Sequence, residues 1–121
     1  MLARPNRLTR GIDYRSVSRR GARCAGAHIV THVVLTEEAR PARFGFIITK
    51  AVGGAVVRNT VRRRLKAACA EALPDVREGA DVVIRALPSS AHATFAELRA
   101  EVGRCLERRA ALMPAGQGPT R

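Results

Sequence analysis

The alternation of apolar and polar residues divides the chain into six elements separated by polar or proline-containing turns. Short β-branched and aromatic runs predict strands, and longer segments with apolar residues three or four positions apart predict helices. The predicted elements are helices over residues 9–20, 55–73 and 95 to about 112, and strands over residues 28–36, 43–49 and 81–87. The order α-β-β-α-β-α indicates an α+β fold, a two-layer sandwich with one small central sheet.

Residues that cap or break helices mark the ends of these elements. Gly21 closes the first helix and Pro74 stops the long one. Thr94 and Glu97 form a capping box that opens the last helix. The polar segment 37–42, which contains a proline, predicts a hairpin loop between the first two strands. We expect a single domain over residues 1–112, followed by a disordered tail over residues 113–121.

The long predicted helix carries an apolar stripe with an unbroken polar arc beside it. The stripe consists of Val57, Val61, Leu65, Ala68 and Ala72, and the arc, called here the basic face, of Arg58, Asn59, Arg62, Arg63 and Lys66. Arg64 lies apart, on the other flank of the stripe. Because like charges four residues apart destabilise a helix, the basic face indicates a bound anion rather than a merely solvated surface.

Charge supports the same interpretation. The 121 residues include 22 lysines and arginines and 10 acidic residues, a formal net charge of +12. The excess comes from two blocks: residues 1–24 hold seven cations and one acid, and residues 39–70 hold eight cations and no acid. So basic a domain indicates a polyanionic partner, either nucleic acid or an anionic membrane surface. No apolar run reaches the roughly 18 residues that a transmembrane helix needs.

The cysteines and histidines give little sign of metal or redox chemistry. Cys24, Cys69 and Cys105 are odd in number and widely spaced, which argues against a disulfide framework or a structural zinc site. Cys24, His28 and His32 recur at intervals of four and would share a face, but a fourth metal ligand is missing. We therefore expect no metal site, free thiols and a reducing cytoplasmic location. Because the basic block 39–70 has no carboxylate, we also expect no catalytic residue in this chain.

The run from Arg43 to Lys66, RFGFIITKAVGGAVVRNTVRRRLK, resembles the signature of the bacterial ribonuclease P protein component. Asp13-Tyr14 with Val17 and Gly21 is similar to the first helix of that family, and Asp81 to Ala86 to its third strand. The resemblance covers about residues 6–112. It implies an α-β sandwich with an unusual left-handed β-α-β crossover, although such crossovers are right-handed as a rule.

The resemblance also implies a function. The protein would be a subunit of ribonuclease P that binds about one copy of the catalytic RNA and the 5′ leader of precursor tRNA. The RNA subunit, with its bound Mg²⁺, would hydrolyse the phosphodiester that joins the leader to the tRNA. By matching position, the basic face and Lys50 would contact RNA, and Tyr14 and His32 would line a cleft for the leader.

Three positions depart from the family pattern: Thr60 and Ala51 stand where a cation is usual, and Ser18 where an aromatic residue is frequent. Leader stacking would therefore be weaker, with Arg62 and Lys66 compensating electrostatically.

Other interpretations of the sequence remain open. A ribosomal or other structural RNA-binding protein would share the charge without accelerating a cleavage. Residues 1–24, rich in arginine, could be a targeting peptide, although the match at Asp13-Tyr14 argues that they fold. A membrane-surface protein would need a bulky apolar face opposite the cations, and the long helix offers only valine, leucine and alanine.

Overall fold

The computed structural model of the chain describes residues 2–8 and 11–112, with residues 12 and 13 described by their backbone alone. In these described segments, three helices and four strands follow one another. They are α1 Gly11–Arg20, β1 Ala22–Ala25, β2 Ile29–Val34, β3 Arg43–Ile47, α2 Ala55–Ala72, β4 Asp81–Ala86 and α3 Phe95–Arg108. Single 3₁₀ turns at Arg4–Asn6, Leu73–Asp75 and Pro88–His92 complete the order. The mixed α+β class is confirmed.

The helix ends follow the capping rules. The Thr94 hydroxyl accepts from the backbone N–H of Glu97 at 3.1 Å, and the Glu97 carboxylate accepts from that of Thr94 at 2.8 Å, which confirms the capping box. The last helix ends at Arg108, earlier than predicted, because Ala110 turns into the left-handed region with φ 60°. The predicted disordered tail, residues 113–121, lies outside the described residues.

The sheet has one strand more than predicted, in the order β1-β2-β4-β3. β1 and β2 form the antiparallel hairpin, β2 pairs antiparallel with β4, and β4 pairs parallel with β3. The predicted hairpin across residues 37–42 is therefore wrong, since β4 lies between β2 and β3. The parallel pair β3 and β4 is joined through α2, which makes the β-α-β unit; its left-handedness stays a prediction.

The two faces of the sheet carry different layers. Phe44, Val82 and Ile84 face α2 and α3 and belong to the main core, with Leu65 and Leu98 from those helices. Val83 points to the opposite face, where a smaller cluster joins it to Leu8 and Val17. Helix α1 thus covers part of the second face and leaves the rest of it open.

A carboxylate at the start of β4 fixes the register of the parallel pair. Asp81 accepts two hydrogen bonds from the guanidinium of Arg40 and two from that of Arg43, at 2.9–3.0 Å. Arg43 is also the register partner of Asp81. Two of the eight cations in block 39–70 are therefore committed to the fold, so the sequence overstated the charge free for a partner.

Two of the three cysteines form a disulfide, contrary to the sequence prediction. Cys24 of β1 is bonded to Cys105 of α3, with the two Cα atoms 5.6 Å apart. The expectation of free thiols is wrong for this pair because the fold brings together residues 81 positions apart, which spacing does not reveal. Cys69 is free and buried, and burial raises the pKa of its thiol. Because two of the three cysteines are bonded to each other, the cysteines no longer indicate a reducing compartment. The cytoplasmic location stays a prediction.

The expectation that His32 shares a face with Cys24 and His28 is wrong. A turn at residues 26–28 reverses the chain, so that Cys24 faces α3 while His32 lies on the face that α1 covers. His28 instead contacts Ser89 at 2.9 Å, next to Glu97 and Glu101. Within residues 2–8 and 11–112, no three histidine, cysteine or acidic side chains could hold a metal ion. In the same segments no helix is long and apolar enough to cross a bilayer.

Candidate nucleic-acid interface

The basic face forms one side of α2. Val61, Leu65 and Ala68 are buried against the sheet, as predicted, and this burial turns the basic face outward. Val57 is 36 % exposed, however, so the apolar stripe begins one turn later than the sequence indicated. The side chains of Asn59, Arg62, Arg63 and Lys66 surround a shallow concavity of about 310 Å³.

Hydrogen bonds hold this face in place without neutralising it. Arg62 donates to the side-chain oxygen of Asn59 at 3.1 Å, which orients its guanidinium along the helix. Within the described part of the chain, no carboxylate forms an ion pair with Arg58, Arg62, Arg63 or Lys66. Arg64 donates instead to the backbone oxygen of Ala93 at 2.7 Å, which anchors α2 to the turn before α3. The charge of the basic face therefore remains available to an anion.

Lys50 lies in the exposed turn between β3 and α2. Its backbone oxygen accepts from Gly53, whose φ of +153° suits glycine. Ala51, one of the departures from the family pattern, occupies the same exposed turn. Thr60, another departure, uses its hydroxyl to donate to the backbone oxygen of Val56 at 3.1 Å and supplies no charge. Lys50 is thus the cation that this turn offers.

Tyr14 projects from α1 onto the sheet at Gly45. A Cβ at position 45 would come within 2.5 Å of the tyrosine ring, so the ring lies directly on the backbone of β3. The Tyr14 hydroxyl accepts from the backbone N–H of Phe46 at 3.3 Å. Arg62 and Lys66 of the basic face line the same concavity of about 140 Å³ as Tyr14. The aromatic ring and the cations of α2 therefore meet around strand β3, which is an edge of the sheet.

His32 lines a different concavity, of about 360 Å³, between α1 and the open part of the sheet. Ser18, Arg23 and Arg85 contribute polar side chains to its wall, and Val30, Ile47 and Leu87 contribute apolar ones. Burial lowers the pKa of His32, and the charges of Arg23 and Arg85 lower it further. His32 and Tyr14 share a face of the sheet, because His32 pairs with Val83 and Val83 with Gly45, but they do not share one concavity.

Sequence reasoning missed Arg23 and Arg85 as residues of this surface. Arg85 carried a signal, since it is the one charged residue within the apolar run 82–87 and would point away from the core. Arg23 carried none, because the strand that holds it was not predicted.

The structure thus combines a cationic helix face, an aromatic ring and a basic cleft. Known proteins that resemble this chain show the family to which the chain belongs. The family model described as Ribonuclease P matches residues 2–110. The chain belongs to the ribonuclease P protein family. It is 45% identical over 102 residues to the ribonuclease P protein component of Beutenbergia cavernae, covering 84% of this chain and 86% of that one. It is also 45% identical to that of Clavibacter michiganensis, covering 89% and 96%.

Solved ribonuclease P proteins share the fold. The protein from Staphylococcus aureus superposes with a TM-score of 0.79 at 18% identity, covering 89% of this chain and 98% of that one. The protein from Thermotoga maritima gives 0.74 at 18% identity, covering 84% and 96%. Membership of the ribonuclease P family implies a role in tRNA processing as part of a nuclease holoenzyme.

Proposed function

We propose that the chain is the RNA-binding protein subunit of ribonuclease P, which pairs about one to one with a catalytic RNA and holds the 5′ leader of precursor tRNA. The observation that carries the proposal is the basic face: four cations and one amide on one side of α2, with no carboxylate of the described residues paired to them. Its partner would be the phosphate backbone of the catalytic RNA.

The leader would bind on the face of the sheet that α1 partly covers. Tyr14 offers a ring for base stacking, and Arg62 and Lys66 lie beside it to meet phosphates. The concavity that contains His32 continues this surface on the same sheet face. A single-stranded leader lying across this face of the sheet would reach α2 at the β3 edge, where the leader and the catalytic RNA would come together.

The chemistry would belong to the RNA and its Mg²⁺. Three of the described carboxylates are engaged in the fold. Asp81 is held by Arg40 and Arg43, Glu97 caps α3, and Glu101 accepts from the backbone N–H groups of His28 and Ile29. The protein would thus position substrate and RNA, while bound magnesium ions supply the hydrolytic activation.

Reconstitution tests the proposal. The protein, a bacterial ribonuclease P RNA and a labelled precursor tRNA are combined at low Mg²⁺ concentration, with each macromolecule omitted in turn. We expect 5′ processing by the mixture and none by the protein alone. Cleavage by the protein alone would place an active site in this chain. Binding of the RNA without any gain in cleavage would favour the structural RNA-binding protein.

Tyr14→Ala should weaken the affinity of the reconstituted enzyme for precursor tRNA more than for mature tRNA, since only the precursor carries a leader. Loss of one base-stacking contact corresponds to about 1–3 kcal/mol. Tyr14→Phe is the matched control, because it keeps the ring and removes only the hydroxyl that accepts from Phe46. Equal losses for the two tRNAs would indicate that Tyr14 serves packing alone.

A further inference from the structure

Three polar side chains from three neighbouring strands line the concavity that contains His32. Arg23 of β1 is the register partner of His32 of β2, and Arg85 of β4 pairs with Val30, two residues before His32. Alternation along each strand therefore directs all three side chains to the face that α1 partly covers. All three line the concavity of about 360 Å³.

Among the described residues, these three groups lack partners that would explain their position. Neither arginine forms a hydrogen bond or an ion pair with any described residue, in contrast to Arg40, Arg43 and Arg64. Nδ1 of His32 is buried and also lacks a hydrogen-bond partner within the described residues. Both arginines are exposed to solvent, and between them lies an imidazole whose Nδ1 has no partner among the described residues, so an anion bound there would meet three unpaired polar groups at once.

We propose that Arg23, His32 and Arg85 form a proton-linked phosphate site, in which His32 takes up a proton when a phosphodiester of the leader binds between the two arginines. The inference rests on the proposed function, because it takes the leader as the strand in the cleft. A guanidinium matches phosphate oxygens bidentately, and a protonated imidazole would donate a further hydrogen bond to the same anion. The Ser18 hydroxyl of α1 faces the same space.

The direction of the coupling follows from the charges around His32. In the free protein the pKa of His32 is lowered by burial, by Arg23 and by Arg85, so the imidazole is neutral at neutral pH. A bound phosphodiester offsets the two positive charges and favours the imidazolium, which raises the pKa. The described side chains that line the concavity include no carboxylate that would do the same. By reciprocity, protonation of His32 strengthens phosphate binding by the same factor by which phosphate favours protonation.

The test is the pH dependence of affinity in the reconstituted enzyme. The substrate is a precursor tRNA with a leader of uridines, whose bases do not titrate near neutral pH. We expect affinity to rise as pH falls, with a slope of log affinity against pH that approaches one proton at most. In His32→Gln this slope should be lost, whereas His92→Gln, an exposed histidine on the turn before α3, should retain it. Leaderless tRNA should show no such slope with any of the three proteins.

An NMR titration of the wild-type protein tests the same proposal even if the His32→Gln variant fails to fold. In the wild-type protein, the NMR titration midpoint of His32 should rise when a uridine oligonucleotide is added, and Arg23→Gln should reduce this rise. An unchanged or lower midpoint would overturn the proposal, as would an equal slope for wild type and His32→Gln. If processing persists while the proton linkage is absent, the phosphate site fails and the proposed function stands. If neither the wild type nor any variant supports processing, both the phosphate site and the proposed function fail.

Discussion

Arg58→Ala and Arg62→Ala should each weaken binding of ribonuclease P RNA and flatten its salt dependence by about one unit of log–log slope, and the double variant by about two. Each substitution removes one cation of the basic face, so one counterion fewer is released when RNA binds. Arg62 should show the clearer effect because Asn59 orients its guanidinium. Affinity measured across a series of salt concentrations gives the slope directly.

Arg104→Ala is the matched control for these variants. It removes the same charge from an exposed position on α3, outside the basic face. We expect its salt slope to equal that of the wild type. If Arg62→Ala and Arg104→Ala behave alike, RNA responds only to the net charge of the protein, and the basic face is not the interface.

Asp81→Asn should reduce the free energy of unfolding by about 3 kcal/mol, the lower end of what breaking a buried ion pair costs. Asparagine keeps the shape of the side chain but leaves two guanidinium groups without their counter-charge. The aspartate side chain is 10% exposed and those of Arg40 and Arg43 are 20% and 29% exposed, so water recovers part of the loss. Denaturant-induced unfolding measures the difference.

Glu38→Gln provides the comparison. Glu38 pairs with the same Arg40 at 3.1 Å, but its own side chain is 64% exposed. We expect a change of about 0.5 kcal/mol or less, as for other surface ion pairs. Similar losses in the two variants would mean that Asp81 does not secure the start of β4.

The elements that the sequence predicted correctly are those whose own residues determine them. Helix α2 combines a long apolar stripe with a glycine-rich start and a proline just after its end, and α3 carries its own capping box. Strand β1 was missed because its four residues, ARCA, contain no β-branched or aromatic side chain and form a strand only by pairing with β2. The order of the strands depended on contacts that no local pattern contains, and the predicted hairpin failed for that reason.

The same distinction holds for the site. The basic face was predictable because all five of its residues lie on one helix, where spacing alone places them together. The proximity of Tyr14 to Arg62 and Lys66 required α1 and α2 to meet at strand β3. The Cys24–Cys105 bond and the position of Arg23 likewise depend on β1, whose place in the sheet comes from tertiary pairing. Which of the predicted residues contact RNA is decided by the variants above.

The absence of a side chain at Gly45 has a consequence for how this surface can change over time. Because the Tyr14 ring occupies the space that a Cβ would need, any larger residue at position 45 requires the ring to move. An alanine at position 45 would lift the ring away from the strand and break the hydrogen bond from Phe46. A smaller residue at position 14 would make room for that alanine, so the depth of the groove depends on the two residues together.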